Sequence, residues 1–231
     1  MRLVFVASDP REYTGILAHA AQARRAPLAV EWARTAQLGA HEAVLVANGA
    51  GRRRAAAALE AAAAGFPADA VVSTGFCGAL EEHLQIADVV VGTCVADAGR
   101  RYPASPVHGP GAVHPGLVYT ADRVAQTASE KRSLRSTGAC AVEMEAAGVA
   151  ERAQVLGLQF YCVRAVTDLA GEDLANDFNA ALRPDGHFDT IVILKGTLSH
   201  PKVRLRELFR LRRRCVQASR VLGDFFADCR F

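Results

Sequence analysis

An α/β fold is what this sequence predicts: a three-layer sandwich whose central sheet is mixed, mostly parallel and twisted, with helices on both faces. Two observations carry that expectation. Valine-rich apolar runs recur at residues 3–7, 43–47, 70–74, 88–95, 117–120 and 160–166, each short and unbroken, as strands covered on both faces require. Helical stretches separate several of them: residues 52–64 are nearly pure alanine with leucine, and residues 142–156 place Val142, Ala146, Val149, Ala150 and Ala153 on one face. Strand followed by helix, repeated, predicts parallel pairing through right-handed crossovers.

Taken in order, the run at 3–7 opens the chain as a strand, because too few apolar residues precede Asp9 for the core of a secretory signal. The second strand ends at Asn48-Gly49-Ala50-Gly51, just before the alanine-rich helix, and the third runs into Thr74-Gly75-Phe76-Cys77-Gly78. After the fourth, Pro103, Pro106, Pro110 and Pro115 with interspersed glycines predict one long loop over residues 99–116, without helix or strand. The fifth precedes the second helix, which Glu143 and Glu145 open, and the sixth ends at Thr167-Asp168. Past Asp185-Gly186 a last helix is expected over about residues 204–226.

With 231 residues, 51% hydrophobic and 22% charged, the chain fits one globular domain over 1–231 and excludes intrinsic disorder. No apolar run approaches the roughly 18 residues that cross a bilayer. Cys77, Cys94, Cys140, Cys162, Cys215 and Cys229 form no C-x-x-C pair, which suits buried thiols in a reducing cytoplasm. Net charge is only +3, yet Lys202, Arg204, Arg206, Arg210, Arg212, Arg213 and Arg214 crowd into a basic helical extension over about 200–231.

In open parallel sheets ligands collect beyond the carboxyl ends of the strands, which ranks Asp9, Glu12, the Asn48 and Gly75 turns, Glu143, Glu145 and Asp168 first. Gly49-x-Gly51 lacks the third glycine of a dinucleotide fingerprint. The seven histidines show no ligand spacing, and neither a Gly-x-Ser-x-Gly elbow nor a P-loop occurs, so no metal or cofactor is implied. Carboxylates remain as the reactive groups.

Three segments, STGFCGAL at 73–80 with QIADVVVGT at 85–93, AVEMEAAGVA at 141–150, and YCVRAVTDLAGED at 161–173, resemble the purine and uridine phosphorylase superfamily. The likeness is strongest to the nucleosidases that hydrolyse methylthioadenosine and adenosylhomocysteine, and it covers most of residues 1–173. It implies a nucleoside phosphorylase-like fold and a purine nucleoside as the small-molecule partner. Position by position, the resemblance makes Asp168 the acid that protonates the purine at N7. Glu145 becomes the carboxylate that grips the ribose hydroxyls, with Met144 against the sugar and Glu143 beside it. Arg164 and Thr167 match the arginine and hydroxyl residue before the acid, Glu12 the base that activates water, and Phe76, Cys77 and Gly78 the loop lining base and sugar.

The residue types suit that chemistry. Breaking a C1′–N9 bond leaves negative charge on the departing purine, so a protonated acid beside the base lowers the barrier. Burial would keep Asp168 protonated, although Arg164 would oppose this if the two touched. Asp9-Pro10-Arg11 is similar to the phosphate loop of the phosphorylases, but Ser8 replaces its glycine and Glu12, at the arginine's place, would repel phosphate. Hydrolysis is the expected reaction, and phosphorolysis the alternative.

The chain also departs from the nucleosidases. Its middle is shorter, which bears on the 5′ pocket and on the homodimer that the resemblance implies, and Val124 stands where an aromatic residue usually stacks on the purine. A short-middle branch, the hopanoid-associated nucleosidases or phosphorylases, acts on a nucleoside bearing a lipid, and the basic C-terminal helix leaves peripheral membrane contact open.

Plainer readings exist for the same residues. Glu12 could be a first-turn helix carboxylate, Asp168 an N-cap, Glu143 and Glu145 a solvated helix start, and Cys77 a packed small side chain. Arg52-Arg53-Arg54 reads as a solvated turn, and the arginines at 202–214 as a helix face paired with acids elsewhere. Against an enzyme stand a nucleoside sensor and a nucleic-acid-binding module. The first would lack the acid, and the second would need aromatics interleaved with the basic residues, which are absent before Phe225, so no nucleic acid partner is expected.

Overall fold

The computed structural model describes residues 1–231, and every valine-rich run is a strand in it. The strands are β1 (Arg2–Ala7), β2 (Ala21–Arg25), β3 (Trp32–Leu38), β4 (His41–Ala47), β5 (Ala70–Ala79), β6 (Val89–Ala96), β7 (Arg101–Pro103), β8 (Val113–Thr120), β9 (Ala139–Glu143) and β10 (Gln159–Asp168). The helices are α1 (Thr14–His19), α2 (Arg52–Gly65), α3 (Ala128–Arg135), α4 (Ala146–Leu156), α5 (Phe178–Ala181), α6 (Thr190–Thr197) and α7 (Pro201–Asp228), with a 3-10 turn at Pro10–Tyr13. No helix is long and apolar enough to cross a membrane.

Alternation along β1 shows why both faces are covered. Val4 and Val6 pack with Ala55, Leu59, Ala146 and Val149 of α2 and α4, whereas Leu3 and Phe5 pack with Ile16 of α1 and Leu222 and Phe226 of α7. The C-terminal half of α7 is thus part of the core. Gly15 and Gly223 let α1 and α7 touch backbone to backbone, since a Cβ on Gly15 would overlap the Ser219 carbonyl. Gly15→Ala is therefore expected to cost about 1–3 kcal/mol, read as a lower midpoint of urea unfolding.

The sheet departs from the expected twisted, mostly parallel layer in two respects. Its order is β10-β6-β8-β9-β5-β1-β4-β3-β2, and β10 also pairs with β5, so β5, β10, β6, β8 and β9 close on themselves like a barrel. Pairing is evenly mixed rather than mostly parallel: β1–β4, β1–β5, β5–β10, β6–β8 and β8–β9 are parallel, and β2–β3, β3–β4, β5–β9, β6–β7 and β6–β10 antiparallel. Irregularities at Val166/Asp168, Gly92/Cys94 and Leu117/Val118 bend the strands enough to close the ring. The long β5 changes neighbours along its length, from β1 at Ala70–Ser73 to β9 at Gly78 and Ala79.

Two local expectations also change. The proline-rich stretch contains β7 and the start of β8, where Pro115 is tolerated because Val113–Gly116 pair only with β6 and the β9 side begins at Leu117. The second helix begins at Ala146 rather than at residue 142, because Glu143 ends β9 and its carboxylate accepts the Glu145 and Ala146 N–H groups.

Candidate active site

Four acids gather at the carboxyl ends of β1, β5, β9 and β10. The chain leaves β1 through a capping box in which Asp9 accepts the Arg11 N–H and Glu12 accepts the Asp9 N–H. Glu12 is 4% exposed, and its carboxylate does more than cap. Oε2 accepts from Ser8 N (2.8 Å), Ser8 Oγ (3.0 Å) and Asp9 N (3.0 Å), while Oε1 accepts from Phe76 N on β5 (2.9 Å). Only glycine fits at residue 75, where φ is +135° and a Cβ would stand 2.8 Å from Glu12 Cδ. Burial pushes the Glu12 carboxyl above its ordinary value, against the pull of these donors.

Arg164, on β10, is fully buried and holds one of the acids, Glu143, directly. Its guanidinium donates to the Thr74 carbonyl (2.5 Å), Ser73 Oγ (2.7 Å) and Glu143 Oε2 (2.5 Å). Burial would lower its basicity, but Glu143 first, then Glu145 and Glu12, hold it firmly charged. Glu143 is fully engaged: besides Arg164 and the two N–H groups that start α4, Thr120 Oγ1 donates to its Oε1 (2.5 Å).

Glu145 sits at the N-cap position of α4, 6% exposed, with Oε1 accepting from Gly51 N at the start of α2 (2.9 Å) and Oε2 from Met144 N (3.3 Å). Burial, and then the charge of Glu143, raise its carboxyl to about 8, with Arg164 and the Gly51 N–H opposing. Met144 is half-buried beside it. The turn at Asp185-Gly186 lies over this end of the site, where Ala50 N donates to the Gly186 carbonyl (2.8 Å).

Asp168 stands farther along β10, in register with Gly78 of β5, which in turn pairs with Val142 of β9. One strand therefore separates Asp168 from the segment carrying Glu143, Met144 and Glu145. Asp168 Oδ2 meets Lys131 Nζ of α3 at 2.5 Å, and Thr167 Oγ1 lies 3.2 Å from Oδ1 and 3.3 Å from the Cys77 carbonyl. Lys131 is fully buried and also donates to the Leu169 carbonyl (2.7 Å). Burial raises the Asp168 carboxyl, and Lys131 and Thr167 work against that rise. Phe76 is partly buried, whereas Cys77 is fully packed and its thiol is pushed well up by burial.

The structure can be set beside known proteins on this geometry. The family model described as "Phosphorylase superfamily" matches residues 2–122 and 106–186. The chain belongs to the phosphorylase superfamily. It is 28% identical over 170 residues to a Staphylococcus aureus 5'-methylthioadenosine/S-adenosylhomocysteine nucleosidase, covering 61% of this chain and 75% of the relative. In fold it is similar to the nucleosidase from S. pneumoniae solved with a transition-state inhibitor, at 20% identity, 99% coverage of both chains and a TM-score of 0.73. It is likewise similar to a futalosine hydrolase mutant of Helicobacter pylori, at 15% identity, 97% coverage of both and a TM-score of 0.70.

In this superfamily member the cation beside Asp168 is Lys131, not Arg164. Nothing in the polar run Glu130-Lys131-Arg132-Ser133 marks the lysine as buried, although the Thr127–Glu130 capping box announces the helix that carries it. Thr120, the donor to Glu143, carries no signal either, and Ser8 and Ser73, though inside the quoted segments, give no sign of their contacts with Glu12 and Arg164. Arg11, in the segment similar to the phosphate loop, turns outward, 84% exposed and paired with Asp9. Arg52 pairs with Asp97 and Glu151, and Arg54 with Glu31, so two of the three arginines after Gly51 are tied to acids, while Arg53 is exposed. Val124 lines a cavity of about 810 Å³ whose wall reaches the acidic cluster through Thr120 and Ala121, which both bond Glu143, and Asn179 bonds both the N–H and the carbonyl of Val124.

Proposed function

We propose that this protein hydrolyses the N-glycosidic bond of a 5′-substituted adenine nucleoside such as methylthioadenosine or adenosylhomocysteine, releasing adenine. The observation that carries this is the placement, along the ends of β5, β9 and β10, of a partly buried Asp168 and a buried Glu145 on either side of one glycine-bearing strand. Asp168 donates a proton to the departing purine. Glu145 accepts the ribose hydroxyls and sets negative charge near the cation-like sugar. Glu12 takes the proton of the attacking water, Met144 and Phe76 border the sugar and base, and Glu143 acts at one remove by fixing Arg164 and the start of α4.

Water is favoured over phosphate by the cradle around Glu12. Four donors from Ser8, Asp9 and Phe76 converge on its carboxylate, which occupies the place an anion would need and repels one. The six free thiols support a reducing, cytoplasmic setting.

Adenine release from methylthioadenosine, adenosylhomocysteine and adenosine, each with and without phosphate, tests the reading. Release in phosphate-free buffer with free sugar as co-product is expected. Strict dependence on phosphate, yielding a sugar 1-phosphate, would replace hydrolysis by phosphorolysis.

A further inference from the structure

Along α6 and α7 exposed apolar side chains lie among exposed cations. Leu205, Phe209, Arg212 and Val216 of α7 recur at i, i+4, i+7 and i+11, so they share one stripe. The three apolar members are 42%, 58% and 66% exposed. This is not the docked face, which Glu207, Ala218, Leu222 and Phe225 provide. In and just after α6, Ile191, Leu194 and Leu198 follow at helical spacing, 63%, 51% and 76% exposed. Six exposed apolar side chains on two helices that touch mark a contact site.

The charge around it has one sign. Lys195, Lys202, Arg206, Arg212, Arg213 and Arg220 are all exposed, and none has a carboxylate within 4.0 Å. Neighbouring acids are already engaged: Glu207 accepts the Ala175 and Asn176 N–H groups, and Glu172 holds Arg214. Pairing with acids elsewhere, expected from the sequence for residues 202–214, therefore holds for Arg210 and Arg214 but not for Lys202, Arg206, Arg212 and Arg213, while Arg204 bonds the Gly196 carbonyl and the Ser199 hydroxyl instead.

We propose that this face of α6 and α7 seats the protein on an anionic lipid surface. Leu194, Leu198, Leu205 and Phe209 enter the headgroup and acyl boundary while the lysines and arginines meet lipid phosphates. A nucleic acid would engage the cations but gain little from exposed aliphatics. A second copy of the chain would bring like charge against like charge. The inference stands apart from the reaction, because it is read by binding alone.

The test is sedimentation of the full chain with vesicles of phosphatidylcholine and of equimolar phosphatidylcholine and phosphatidylglycerol. Retention on the anionic vesicles only, falling with salt, is expected. Arg206→Gln, Arg212→Gln and Arg213→Gln together should lower partitioning about a hundredfold, at roughly fivefold per cation. Leu205→Ser with Phe209→Ser should lower it about tenfold at an unchanged melting temperature. If that pair unfolds the protein, Val216→Ser carries the apolar arm with a smaller loss. Failure to sediment with anionic vesicles overturns the proposal, and so does full retention by the serine variant. Duplex DNA bound more tightly than the vesicles would reassign the face to nucleic acid.

Discussion

Asp168→Asn is expected to lower adenine release by about 10²- to 10⁴-fold, the contribution of a general acid, with thermal unfolding close to that of the parent protein. Asparagine keeps its one oxygen for Lys131 Nζ, and its amide N–H can donate to the Thr167 hydroxyl, which then donates to the Cys77 carbonyl, so both local contacts survive. What it loses is the proton. The acid works only while protonated, and two opposed influences set that state: burial, which favours the neutral carboxyl, and Lys131, which favours the carboxylate.

Lys131→Met separates the two influences. With the ammonium gone, Asp168 keeps its proton to higher pH, so the falling limb of kcat/KM should move toward alkaline pH. A merely structural lysine would leave that limb in place. Some stability should also be lost, about 1–3 kcal/mol, because the Leu169 carbonyl loses its buried donor. Full turnover by Asp168→Asn would remove the proposed donor altogether.

How far the fold and the site could be read from the chain depends on what each residue had to signal. β1, β4, β5, β6 and β10 are buried on both faces and announce themselves as valine runs. β2 is exposed throughout, Ala-Gln-Ala-Arg-Arg, and β3 carries Arg34, Thr35 and Gln37 among its apolar residues, so neither stands out. Closure of the sheet depends on bulges at Asp168 and Gly92, which no periodicity encodes. Among the candidate site residues, Glu145 and Asp168 are visible through V-E-M-E-A and R-x-x-[ST]-D. Lys131 is invisible because a lysine in a polar run is ordinarily solvated, and here only the tertiary approach of α3 to the end of β10 buries it.

Glu145→Gln should move activity and stability in opposite directions. Burial and the neighbouring Glu143 charge raise the folded-state carboxyl to about 8, from 4.5. Glu12 adds to that rise, and Arg164 with the Gly51 N–H opposes it. The folded protein therefore holds a proton that the unfolded chain releases, and this contribution to stability is lost as pH climbs from about 4.5 through 8. Glutamine carries no such burden and retains an oxygen for Gly51 N. Urea midpoints should show the variant gaining roughly 1–3 kcal/mol on the parent near neutral pH, with little difference at the acid end. Catalysis needs the opposite state, since only the ionised carboxylate accepts both ribose hydroxyls and stabilises the sugar cation. In the parent, kcat/KM should rise as Glu145 ionises, and the variant should lose that rise together with about 10²- to 10³-fold in rate. Normal turnover would detach Glu145 from the sugar, and a pH-independent stability difference would show that its burial is already relieved. Between those outcomes lies the physical reason for keeping an acid there: the same desolvation that destabilises the fold makes its charge effective against the ribosyl cation.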